Sequence, residues 1–113
     1  NNLWQRKFYT TKKREKLSFW NITMGWGITA SKDAFHFLEK NHIPTEEVAD
    51  IIKSAIRRFQ GENENIDIGK LKGKWLGFYR IRKGRIRIIV SFDFDNSSAF
   101  VDKVDWRGNV YKK

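Results

Sequence analysis

The chain has 113 residues, 40% of them apolar, and carries five Trp and nine Phe, too many large side chains for a disordered tail and enough to fill one core. Lys and Arg number 23 against 13 Asp and Glu, a formal net charge of +10, and such an excess raises the energy of the compact state unless a polyanion answers it. Cysteine is absent, which excludes disulfides and thiolate metal sites and permits a reducing cytosol; no run approaches the ~20 apolar residues of a membrane span, and there is no signal-peptide core.

Residues 1–20 read as a basic arm. Arg6, Lys7, Lys12, Lys13, Arg14 and Lys16 face a lone acid, Glu15, with Trp4, Phe8, Tyr9, Phe19 and Trp20 interleaved. Such an arm binds nucleic acid by charge and stacking, or its aromatics dock it on the domain. Residues 21–113 read as one domain. The chain begins at Asn1 without a Met, which is also compatible with a piece of a longer protein.

From Phe19 to Thr29, β-branched and aromatic residues predict one or two strands broken by Gly25 and Gly27. Ser31 reads as an N-cap with Asp33 in the first turn, opening a short helix to about Lys40 that partly buries Ala34, Phe35, Phe37 and Leu38. Pro44 and Thr45 open a second helix. Val48, Ile51, Ile52, Ala55, Ile56 and Phe59 follow one helical face, and Gly61 can end it in the left-handed conformation. Glu62 to Ile68 reads as a polar loop.

Beyond it the period changes to two. Strands are predicted over Trp75–Arg82, Arg85–Phe94 and Ala99–Asp105, with turns at Lys83-Gly84 and at Asp95-Asn96-Ser97. The expected fold is α+β: two helices packed on one face of a small antiparallel sheet, in the order β-α-α-β-β-β.

A two-residue turn at Lys83-Gly84 pairs Arg82 with Arg85, Ile81 with Ile86, Arg80 with Arg87 and Tyr79 with Ile88. Alternation then sends the apolar set toward the helices and four guanidiniums together to the other face. Like charges directly opposite in a sheet are destabilising, by roughly 0.7 kcal/mol per pair in water at ~6 Å and about 3 kcal/mol at an effective dielectric of 20. A phosphate between the strands reverses that sign. Lys70, Lys72 and Lys74 lie on the approach, and from Lys70 to Arg87 eight basic residues occur with no acid.

These residues resemble the RelE/ParE toxin superfamily. The resemblance rests on Lys70-Leu71-Lys72-Gly73, on the run from Tyr79 through Arg87 to Ile89, and on Arg107-Gly108-Asn109-Val110-Tyr111, and it spans about residues 26–111. It implies a toxin of a toxin–antitoxin pair in a bacterial or archaeal cytoplasm, with a cognate antitoxin and the RNA of the ribosome as partners. The RelE-like branch cuts mRNA in the ribosomal A site through attack by the ribose 2′-hydroxyl, without metal or cofactor. The ParE-like branch poisons DNA gyrase, and a non-catalytic RNA-binding module is a third alternative.

By motif position, the resemblance makes Arg87 the phosphate-stabilising arginine. Arg80 and Arg82 add charge, Tyr111 orients the base or takes a proton, and Arg107 binds a neighbouring phosphate. Arg85, Lys70, Lys72 and Lys74 complete the expected nucleic-acid surface, with Trp106 as a base-stacking or core residue. Arginine cannot act as a general base, and Asp105 stands where the better-studied nucleases carry a basic residue. It either takes a proton or pairs with Arg107 and Lys103.

His36 and His42 lack a suitably spaced third ligand, so no metal site is expected. Asp93 and Asp95 form a paired acid site or, more plainly, a turn.

Overall fold

The computed structural model describes residues 25–108 and, as backbone alone, residues 18–23. The basic arm up to residue 17 and Tyr111 lie outside the described residues. The elements are β1 (Ser18–Thr23), β2 (Trp26–Ala30), α1 (Lys32–Lys40), α2 (Thr45–Phe59), β3 (Asp67–Lys70), β4 (Phe78–Lys83), β5 (Ile86–Asp93) and β6 (Ser98–Trp106), with a 3-10 turn at Gly73–Trp75. The fold is α+β. Its sheet has six strands in the order β1-β2-β6-β5-β4-β3.

Ser31 begins α1 as its residue type predicts. Its hydroxyl accepts from the Ala34 N–H at 3.0 Å and donates to the Asp102 carbonyl at 2.8 Å, so one side chain caps the helix and ties it to β6. α2 buries Val48, Ile51, Ile52, Ala55 and Ile56, the periodic apolar set. Its end is a Schellman motif: Gly61 has φ +94°, its N–H donates to Arg58 O and that of Glu62 to Arg57 O, each at 3.0 Å. Phe59, the last periodic residue, is 37% exposed and packs edge-on against Tyr79, Phe92 and Phe94.

The expectation of an antiparallel sheet needs correction. β2 runs parallel to β6, while every other neighbouring pair is antiparallel. Parallel strands cannot be joined by a tight hairpin, and the chain between β2 and β6 supplies the long connection they need. The predicted loop runs into β3, which begins at Asp67 and pairs with β4. The break before β2 falls at Gly25, φ +81°, whereas Gly27 lies inside the strand.

Alternation divides the sheet into two faces. On the inner face Ile28, Ala30, Ile81, Ile86, Ile88, Val90, Ala99, Val101 and Val104 join the buried residues of both helices in one core. Ile68, Ile81, Ile88 and Val104 form a continuous cross-strand row there. The opposite, outer face carries Asp67, Arg80, Arg82, Arg87, Lys103 and Asp105.

The β4–β5 turn is displaced by one residue from its predicted place. Lys83 pairs with Ile86, so Gly84 and Arg85 form the loop. Gly84 has φ +66° and Arg85 does not enter the left-handed region, which is the type II′ arrangement with glycine first. The predicted loop would have needed Lys83 in a left-handed conformation if built as type I′, at roughly 1–2 kcal/mol for a residue with a Cβ. The displacement leaves the parity of Arg80, Arg82 and Arg87 unchanged and removes Arg85 from the ladder.

Candidate nucleic-acid interface

The register lays two rows across the outer face. Asp67, Arg82, Arg87 and Asp105 are successive cross-strand partners on β3, β4, β5 and β6. The neighbouring row is Gly69, Arg80, Ile89 and Lys103. Three of the four predicted guanidiniums therefore share this face, and their surroundings differ.

Arg82 is committed to Asp67. Its Nε and Nη2 donate to Oδ2 at 2.8 and 2.5 Å, while Arg80 Nη2 lies 3.5 Å from Oδ1 of the same carboxylate. The hydrogen bonds from Arg82 hold the Asp67 carboxyl below its ordinary range. Partial desolvation opposes them, and the charges of Arg82 and Arg80 assist. A lowered folded-state pKa means the stabilisation is present above the unfolded value of about 3.9 and is lost as pH falls through the folded one. In melts of wild type and Asp67→Asn, the wild-type advantage should hold steady above about pH 5 and fade as acidity rises below about pH 4.

Arg87 is placed differently. Among the described residues it has no ion-pair partner, although Asp105 stands directly across from it. The Asp105 Oδ1 instead accepts the Trp106 N–H at 2.8 Å, and Asp105 makes no ion pair with Lys103 or Arg107. The Nε atoms of Arg87 and Arg80 are both buried without a hydrogen-bond partner. An unsatisfied buried donor costs about 1–3 kcal/mol, so two on one sheet face call for an acceptor. Ile89 lies beside them on the same face, only 7% exposed and outside the main core. It gives the pair an apolar floor, with exposed Lys103 across from it.

The other predicted site residues are dispersed. Arg85 leaves the arginine face: its Nε and Nη2 donate to Glu47 on α2 at 3.0 and 2.9 Å, and its guanidinium lies 5.6 Å from the Trp106 ring centre. Glu47 holds the charge on Arg85 by hydrogen bonding and Coulomb attraction, so this arginine fastens the hairpin tip to the helix. Trp106 is an inner-face residue packed edge-on against Phe37, which makes it part of the packing rather than a stacking platform on the arginine face.

Arg107 closes the turn, its N–H donating to Arg85 O at 2.9 Å and Nη1 to Gly84 O at 3.1 Å. Lys70 pairs with Tyr79 in the ladder and so follows the inner-face parity, away from Arg87. Lys72 and Lys74 are exposed around the 3-10 turn. Asp93 accepts from the backbone and side chain of Asn96, as a turn residue does.

Asp67 and Gly69 were not predicted. The alternation Ile66-Asp67-Ile68-Gly69 carried the signal of a short strand, and both isoleucines pack against the core. Among the described residues no group of three or more His, Cys, Asp or Glu could hold a metal ion, and no helix is long and apolar enough to cross a membrane. Compared with protein-family models, curated proteins and solved structures, the chain matches none.

Proposed function

We propose that the outer face grips the phosphates of RNA through Arg87 and Arg80, and that the protein is a metal-independent endoribonuclease of the RelE-like toxin kind, acting on ribosome-bound mRNA. The observation that carries this is Arg87 itself: half-buried, with a buried, unpartnered Nε and no carboxylate holding it among the described residues. The order β2-α1-α2-β4-β5-β6 supports the resemblance, with β1 and β3 as additions. The same proposal brings a cognate antitoxin and a bacterial or archaeal cytoplasm.

In the proposed reaction the ribose 2′-oxygen bonds to phosphorus and the bond from phosphorus to the 5′-oxygen breaks. The products are a 2′,3′-cyclic phosphate and a free 5′-hydroxyl. Arg87, assisted by Arg80, stabilises the charge that gathers on the phosphoryl oxygens. Asp105, on the same face and without an ion pair among the described residues, takes the 2′-hydroxyl proton in this reading. Tyr111 keeps the role the resemblance gives it, orienting the base or taking a proton, and water protonates the leaving 5′-oxygen. Arg82 serves as a support rather than a catalytic group.

Primer extension on mRNA, with and without ribosomes, tests the proposal. New ends at the A-site codon are expected only with ribosomes. Intact mRNA together with linearised plasmid in a gyrase assay would replace the nuclease with a gyrase poison. RNA binding with neither outcome would leave a non-catalytic binding module.

A further inference from the structure

The outer face continues beyond its charged rows. Phe78, Ser91 and Phe100 are successive cross-strand partners on β4, β5 and β6, one row on from Ile89 and Lys103. Parity puts Phe78 on this face, and unlike its neighbour Tyr79 it stands outside the main core. It is half-buried, and Trp75 from the 3-10 turn meets it edge-on with ring centres 5.4 Å apart.

A β-bulge brings β6 into the same arrangement. Ile89 pairs with Lys103 but Val90 pairs with Val101, so Asp102 is the extra residue. In an unbroken strand, residues three apart point to opposite faces. Here Val101 and Val104 are both buried on the inner side, and Phe100 and Lys103 both lie on the outer one. Lys103 is exposed and has no ion pair among the described residues.

We propose that Phe78, Ser91 and Phe100 form a base-binding strip, in which Phe78 stacks a nucleobase of a single-stranded RNA whose backbone runs past Lys103 and Arg87. This rests on the phosphate-binding function proposed above. Cations beside aromatic rings are the combination that holds single strands, because charge tracks the backbone while each ring takes a base. Rows along a strand are about 7 Å apart, so the strip lies one such step from Lys103 and two from Arg87. Ser91, the smallest of the three, leaves the low point between the two rings. A duplex keeps its base faces stacked inside the helix and cannot use the strip. Trp106, the aromatic that the sequence suggested for stacking, packs on Phe37 instead.

A short single-stranded RNA carrying 2-aminopurine, titrated with the full chain, reports both halves of this site. At saturation, stacking on Phe78 should quench the fluorescence. Phe78→Ala should weaken binding about 5–150-fold without changing the slope of log affinity against log salt. Phe78→Leu, which keeps apolar bulk on the sheet, should also lose the quenching, and Phe78→Trp should retain it. Lys103→Gln should do the reverse, flattening the slope by about 0.7 while the quenching persists. The same RNA annealed into a duplex should bind wild type and Phe78→Leu equally.

If wild type binds the single strand without quenching, or Phe78→Leu binds and quenches as wild type does, the strip falls alone and its aromatics belong to a protein contact. An unchanged slope in Lys103→Gln overturns the lysine's part. If wild type binds no RNA, the phosphate-binding function falls and the strip with it.

Discussion

Arg87→Ala is expected to reduce A-site cleavage by about 10²–10³-fold, the loss seen when one preorganised donor to a developing charge is removed. The fold should survive it. Arg87 faces Arg82 across the ladder, donates to no described partner and carries a buried unsatisfied Nε. Removing it relieves repulsion and an unpaired donor, so the melting temperature should stay level or rise slightly. Arg87→Lys should recover only part of the activity, since an ammonium lacks the forked donors of a guanidinium. Arg85→Ala is the matched control. It deletes an arginine two residues away that is committed to Glu47, and cleavage should persist.

The largest expected effect on stability lies on the other face. Ile81 and Ile88 are cross-strand partners, both fully buried at the centre of the core row that runs from Ile68 to Val104. Ile81→Ala should cost about 2–5 kcal/mol, through lost burial and the cavity left between rigid neighbours. For a domain of this size that is a fall of roughly 10–25 °C in melting temperature, read by circular dichroism. A fall of only one or two degrees would mean that the β4–β5 ladder does not pack on the helices as described.

What could be read from the residue string followed a local rule. Ser31, the α2 periodicity and Gly61 each act within one or two helical turns, and all three do what their types predict. The alternation of the β4 and β5 strands was equally local, and it correctly separated Arg80, Arg82 and Arg87 from Ile81, Ile86 and Ile88. The position of the turn was not determined locally, because one glycine can supply either the first residue of a type II′ loop or the second of a type I′ loop. That single choice moved Arg85 to the helix side.

Its partner, Glu47, lies 38 residues away in sequence and gave no signal in the string. The same holds for Asp67, 15 residues from Arg82. Counting acids only between Lys70 and Arg87 missed the carboxylate that an edge strand brings back. The parallel pairing of β2 with β6 is likewise a property of topology rather than of either strand's composition. The candidate site is consequently smaller than the sequence suggested: two arginines and a lysine, flanked by two aspartates.

The arginine Nε–H resonances offer the most direct view of that site. On titration of labelled protein with a short single-stranded RNA, the Nε–H signals of Arg87 and Arg80 should move strongly as they gain acceptors. That of Arg85, closed on Glu47 at 3.0 Å, should stay in place. Movement at Arg85 with Arg87 and Arg80 unchanged would locate the anion on the helix side and contradict a phosphate-gripping outer face.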